Sequence, residues 1–224
     1  MSLKPDKKSD RNKEWMKKRR DRSIKMQPEY HLIVTEGTAT EPQYFSAIRD
    51  VINRKYRGRI QLDIHGEGRN TVSLFEMAKR YLQQSAIIYK HIWIVYDTDD
   101  FPQDAINKTA ELCAQSSNEE TKYHAIWSNQ CIELWFLLHF CYLQTDMHRS
   151  EYFPKLSAFL TQHGYGAYTK ANAHMYQMLL PYMDTAICNA KKLASKNAEK
   201  TPAASAPGTK VYELIEQLKP YLED

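Results

Sequence analysis

Apolar residues recur along this chain in two rhythms. Four short runs, residues 30–35 (YHLIVT), 60–65, 91–96 (HIWIVY) and 123–127 (YHAIW), are rich in β-branched and aromatic side chains. Each is closed by polar residues, which predicts strands. The third is apolar at every position from Ile92 to Tyr96, the pattern of a strand covered on both faces, as in a parallel sheet. Between the runs the spacing becomes helical. Tyr44, Phe45, Ile48, Val51 and Ile52 form one stripe, opened by a capping box of Thr40 and Gln43. Val72, Leu74, Phe75, Ala78 and Leu82 form a second, and Ala105, Ile106, Ala110, Leu112 and Cys113 a third. After the fourth run, Ser128 and Asn129 are placed to cap a helix over CIELWFLLHFCYL, apolar on nearly every face and therefore expected to be central. A β-α unit repeated four times predicts an α/β fold with a parallel four-stranded sheet flanked by helices and joined by right-handed crossovers.

Beyond residue 148 the pattern is helical only. A short helix carries Phe153, Leu156 and Leu160, Gly164 and Gly166 mark a loop, and one long helix is expected over residues 172–196. Residues 197–209 (NAEKTPAASAPGT) have the small-residue, proline-containing composition of a mobile linker, and a last amphipathic helix spans 210–222. The expected organisation is a leader over 1–27, an α/β domain over 28–148, and an α-helical C-terminal extension over 149–224 that packs on it.

Charge adds one feature to this picture. Residues 1–27 hold 11 of the 31 Lys and Arg against 4 of the 27 Asp and Glu, so the rest of the chain, with 20 against 23, is mildly acidic. The leader reads either as a basic arm gripping nucleic-acid phosphates or as a solubilising tail; Trp15 favours the arm, since a purely solvating tail has no use for it. No apolar run is long enough to span a bilayer, and the N-terminus lacks the apolar segment of a secretory signal. The four cysteines form no CxxC pair, so no membrane association and a reduced, cytoplasmic setting are expected.

Polar residues that can do chemistry collect where strands end. Glu36 follows the first strand, Asp97, Asp99 and Asp100 follow the third, and Ser128 and Asn129 follow the fourth, with Glu133 inside the next helix. In a parallel sheet these ends share one edge, the edge where such folds bind ligands. Asp97 and Asp99 point to one side and Asp100 to the other. Two close carboxylates repel unless a cation lies between them, so Glu36, Asp97 and Asp99 suggest a hard divalent ion, Mg²⁺ or Mn²⁺; the alternative is a solvated acidic turn. The turn GEGRN (66–70) could hold a phosphate on its amides, but a plain structural turn is the better reading. The chain has no GxxxxGK[ST], GxSxG or HExxH. Cys131, His139, Cys141 and His148 are spaced wrongly for zinc, and His139 reads as a core or cap residue. Glu133, within so apolar a helix, needs a partner or an ion.

A hydrophobic strand ending in Glu-Gly, then some sixty residues on a strand ending in Asp-x-Asp, resembles the Toprim domain of topoisomerases, primases and related nucleases. More closely, IVTEGTATEPQYF (33–45), IVYDTDDF (94–101) and IWSNQCIELWFLLHF (126–140) resemble the RloB family, found in bacterial restriction-modification and abortive phage-resistance loci. GYGAYTK (164–170), AICNAKKL (186–193) and PGTKVYELIEQL (207–218) also fit. The chain departs from that family's pattern at Thr38, Ala39, Thr98 and Gln130, and at Ala39 and Thr98 it lacks cations that could contact phosphate. The resemblance implies a Toprim-like (Rossmannoid) fold, metal binding by Glu36, Asp97, Asp99 and, less directly, Asp100, and catalytic roles for Glu133 and Lys170. It implies Glu41, Ser128 and Asn129 as substrate-binding residues. The expected activity is that of a Mg²⁺- or Mn²⁺-dependent nuclease in anti-phage defence, acting with nucleic acid and alongside a partner protein of a defence operon. The alternative is a module that binds a nucleotide or nucleic acid without cutting it; a nucleotide-sugar transferase would leave Glu36 without a role.

Overall fold

The computed structural model describes residues 28–68, 71–98 and 102–222; the basic leader, Asp99 and Asp100 lie outside the described residues. Four strands, β1 (Glu29–Thr35), β2 (Ile60–Gly66), β3 (His91–Asp97) and β4 (Lys122–Ser128), form one parallel sheet in the order β2-β1-β3-β4. They are joined by α1 (Thr40–Tyr56), α2 (Thr71–Gln84) and α3 (Gln103–Ser116). The helices that follow are α4 (Glu133–Leu138), α5 (Arg149–Gln162), α6 (Met175–Leu179), α7 (Met183–Lys196) and α8 (Val211–Leu222).

Side-chain alternation divides the strands between two cores. Ile33, Trp93, Val95 and Ile126 face α1 and the helices from α4 onward, in a cluster that includes Tyr44, Ile48, Trp135, Tyr152, Ala186 and Leu214. Leu32, Val34, Ile92, Ile94 and Tyr96 face the other way, onto Leu74, Phe75 and Ala78 of α2 and Ile106 and Cys113 of α3. Burial on both faces is why β1 and β3 read as unbroken apolar runs. The C-terminal helices are thus one wall of the sheet's own core, not an appendage with a separate one. Among the described residues, no helix is long and apolar enough to cross a membrane.

Four local expectations need correction. Residues 131–143 are not one helix: all six residues of α4 are buried, and Asn189 Nδ2 of α7 takes the Leu138 carbonyl at 2.9 Å where another turn would have continued. Ser128 and Asn129 do not cap α4, whose N-cap is Ile132 with no side-chain bond. Thr40 is already the first residue of α1; the N-cap is Ala39, and its carbonyl accepts from the Gln43 amide at 3.0 Å. The long helix of 172–196 is interrupted by a 3₁₀ turn at Leu180–Tyr182, because Pro181 has no amide hydrogen and crowds the preceding turn.

The stretch 197–209 is the largest correction, because it is packed rather than loose. Asn197 Nδ2 donates to the Pro207 carbonyl at 2.9 Å, and the Asn129 amide donates to the Gly208 carbonyl at 2.7 Å. The Lys210 amide donates to the Trp127 carbonyl at 2.8 Å. Ser128 and Thr209 pair as an antiparallel bridge, with their hydroxyls 2.8 Å apart. Gly208 is required here: a Cβ would stand 2.5 Å from the Ser205 carbonyl oxygen.

Candidate active site at the carboxyl edge of the sheet

From β1 the chain crosses to β2 on one side, and from β3 it crosses to β4 on the other. The crevice where an α/β sheet binds ligands opens between such strands, beyond their carboxyl ends. Glu36 and Asp97 stand there. The parallel register sets Thr35 beside Val95, the Glu36 amide donates to the Val95 carbonyl at 2.9 Å, and the Asp97 amide donates to Glu36 Oε2 at 3.1 Å. Backbone bonds thus place Glu36 over the end of β3, and both carboxylates are partly exposed.

The next turn brings a second carboxylate pair. Glu41 opens α1 and is buried, with its carboxylate against the backbone of Gly37; a Cβ at Gly37 would lie 2.1 Å from Glu41 Oε2. Burial pushes the Glu41 carboxyl above the ordinary carboxylate range, the neighbouring Glu133 carboxylate pushes the same way, and Lys170 acts against both. Glu133 is only 3% exposed. Tyr168 donates its phenol proton to Glu133 Oε1 at 2.6 Å, and the Cys131 thiol hydrogen-bonds to the same side chain. Burial, then the Glu133 charge, raise both the Tyr168 phenol and the Cys131 thiol far above their usual ranges. Both groups stay protonated and serve Glu133 as donors. Phe153 stacks on Tyr168 at 6.0 Å between centroids, and Lys170 Nζ lies 5.1 Å from the Phe153 ring centre.

These groups enclose a cavity of about 270 Å³. Residues 37–41, Asp97, and residues 131–133 line one part, and Arg149, Phe153 and Lys170 line the rest. Of the residues singled out in the sequence, Glu41, Asp97, Glu133 and Lys170 meet in this cavity, and Glu36 adjoins it through Asp97. Ser128 does not join them: it is 2% exposed and its hydroxyl is engaged with Thr209. Asn129 sits beside Thr98, with Nδ2 3.5 Å from the Thr98 hydroxyl, while its buried Oδ1 has no hydrogen-bond partner among the described residues. Asp99 and Asp100 lie outside the described residues. Sequence reasoning missed Arg149, Phe153 and Tyr168, and weighed Cys131 only as a zinc ligand. Tyr168 left a signal, two residues before Lys170 in the GYGAYTK stretch, as did Cys131, two residues before Glu133 in the 126–140 stretch.

The donor chemistry fits a hard ion better than a soft one. Glu36 and Asp97 offer carboxylate oxygens, and Asn129 Oδ1 is an unused acceptor nearby. Mg²⁺ is commonly held by one or two carboxylates with water and substrate phosphate completing its shell. Among the described residues no three His, Cys, Asp or Glu side chains are grouped closely enough to cage a metal. His139, Nδ1 2.9 Å from the Trp135 carbonyl oxygen, is a core residue that burial holds neutral, with a pKa lowered to about 4.

Comparison with known proteins gives one result. A family model described as RloB-like protein matches residues 31–218. No curated protein and no solved structure matches the chain. The match runs from β1 into α8 and takes in Glu36, Glu41, Asp97, Glu133 and Lys170, so the chain belongs to the RloB-like family.

Proposed function

We propose that this protein is a Mg²⁺- or Mn²⁺-dependent phosphodiesterase, a nuclease of bacterial anti-phage defence with a Toprim-like acidic site. The observation that carries the reading is the pairing of Glu36 and Asp97 across the switch point of a parallel sheet. Membership of the RloB-like family supports the defence setting.

Glu36 and Asp97, with Asp99 two residues on, would hold the ion, and Asp100 is a further candidate. When bound, the ion supplies Lewis-acid polarisation of a phosphoryl oxygen and lowers the pKa of attacking water. The chain's own residues do the rest. The Asp97 amide fixes Glu36, so that carboxylate is oriented before any ligand arrives. Tyr168 and Cys131 fix Glu133 in the same way. Glu41, raised by burial, is suited to hold a proton beside the cavity. Lys170 places positive charge where negative charge grows on a transferred phosphoryl group. Asn129 offers its open acceptor to the substrate.

The second reading is a module that holds a nucleotide or nucleic acid without cutting it. The observation in its favour is the acidic excess of residues 28–224, because a nuclease cleft works best with positive potential. Cytoplasmic residence, a nucleic-acid grip by the leader, and an operon-encoded partner protein belong to the same proposal.

The test is a cleavage panel of single- and double-stranded DNA, tRNA and total RNA with Mg²⁺, Mn²⁺ or EDTA, run beside an Asp97→Ala/Asp99→Ala variant. Metal-dependent cleavage lost in the variant is expected. Cleavage that persists in the variant would sink the site assignment, and a protein that binds but cuts nothing belongs to the second reading.

A further inference from the structure

The cavity separates charge by origin. Its carboxylates, Glu41, Asp97 and Glu133, all come from the part of the chain before residue 148. The two cations among its lining residues, Arg149 and Lys170, come from the helical part after it. Ala39, the N-cap of α1, and Thr98, next to Asp97, bring no charge of their own. Among the described residues lining the cavity, the sheet side offers only anions to an entering phosphate, and the cations come from the helical part.

Both cations are anchored by their surroundings. The Arg149 amide donates to Gln130 Oε1 at 2.6 Å, which ties the start of α5 to the turn leaving β4. That turn is unusual, with Gln130 in the left-handed region at φ 51°. His148 caps α5, its Nδ1 accepting from the Ser150 amide at 3.3 Å. Lys170 rests over Phe153, also of α5, and Phe153 in turn stacks on Tyr168. The guanidinium, the ammonium and the Glu133 donor are thus carried by α5 and the loop packed on it.

We propose that Arg149 and Lys170 form a phosphate subsite, contributed by the helical part to the cavity that the carboxylates also line, that takes the backbone phosphate of a nucleic-acid strand. This rests on the reading of the crevice as a phosphodiester site, but not on cleavage. Arg149 has the forked donor set that grips two phosphate oxygens at once, whereas Lys170 acts as a point charge. Arg149 and Lys170 then balance the charge of Glu41, Asp97 and Glu133 around the phosphate. The helices supply the charge that the sheet edge lacks.

The experiment is a binding titration with the full chain in Ca²⁺, following a labelled single-stranded oligonucleotide by fluorescence anisotropy over a series of salt concentrations. Wild type, Arg149→Ala, Arg149→Lys and Lys170→Ala are compared, with thermal unfolding as the check on folding. Arg149→Ala and Lys170→Ala are expected to weaken binding about tenfold each and to flatten the salt slope by about one unit each. Arg149→Lys is expected to keep the slope but recover only part of the affinity, because charge survives and the fork does not. Unchanged affinity and slope in a folded Arg149→Ala protein would overturn the subsite, as would a wild type that binds no oligonucleotide. A mononucleotide arm separates sources: equal affinity for both ligands, with the same Arg149 dependence, would replace the strand with a free nucleotide. Failure of the nuclease reading looks different, since wild type would then bind with Arg149-dependent affinity and cut nothing.

Discussion

At the scale of single residues, the site is held by groups whose partners are specific. Glu133 is almost fully buried, and a carboxylate in that position is costly unless donors meet it. Tyr168 is one of those donors, so Tyr168→Phe removes a 2.6 Å bond while leaving the ring that stacks on Phe153. The expected cost is about 1–3 kcal/mol in urea unfolding. If Tyr168 also orients Glu133 for function, turnover falls with little change in KM. A variant as stable as wild type would show that Glu133 is satisfied without it. Gly37 is similarly tied to its site, because Glu41 occupies the space a side chain would need. Glu36 and Asp97 were legible in the sequence because buried strands that end abruptly in carboxylates have few structural reasons to do so, whereas Glu41 came only from the family resemblance. Arg149 and Phe153 were not, since their place depends on where α5 packs.

At the scale of elements, the pattern of apolar positions located all four strands to within about one residue and the three crossover helices to within a few. Those elements are set by local alternation and by burial on both faces. The errors came where long-range contacts decide. The break at Pro181 was overlooked although its cause is local, whereas the end of α4 could not be read from sequence, because it depends on Asn189 reaching the Leu138 carbonyl. Residues 197–209 were misread because small residues and prolines serve a close-packed segment as well as a loose one. Hydrogen exchange distinguishes these two states. The Asn129 and Lys210 amides, bonded to Gly208 and Trp127, are expected to exchange as slowly as amides of β3. Exchange within seconds at neutral pH would mean that the segment is detached from the sheet.

At the scale of the whole molecule, the end of the sheet opposite the crevice carries a second polar network, and it is linked to stability rather than to chemistry. Trp93 Nε1 donates to His31 Nδ1 at 3.2 Å, which leaves the His31 proton on Nε2, 3.1 Å from Glu29 Oε1. Glu29 also receives Lys90, Gln217 and Tyr221, so it fastens α8 to the sheet. His31, first, and Lys90 hold the Glu29 carboxyl far below the ordinary range, despite its burial. His91 and His124, 3.0 Å apart, are both lowered to about 4, burial being the main cause. In the unfolded chain these histidines take up protons near 6.5. Between about pH 6.5 and 4 the unfolded state therefore binds more protons, and stability falls as the pH falls. The Glu29 contribution has the same sign: it is present above the ordinary carboxylate pKa and is lost on further acidification. Urea unfolding midpoints are expected to be flat from pH 7 to 8 and to drop steadily from pH 6.5 to 4.5. His139, also lowered to about 4 by burial, adds to this slope and Glu41, raised by burial, opposes it, so a slope unchanged by removing His91 would contradict the network's share. His91→Gln, which cannot titrate, should reduce that slope.

Calorimetric titration of Mn²⁺ into the full chain shows whether Glu36 and Asp97 together hold a divalent ion at the switch point. Wild type is expected to bind Mn²⁺ in competition with Mg²⁺. Glu36→Gln and Asp97→Asn are each expected to lose at least about tenfold in affinity while unfolding at the wild-type temperature, because an amide replaces a charged oxygen ligand. Mn²⁺ binding by both folded variants as tight as that of wild type would contradict the account.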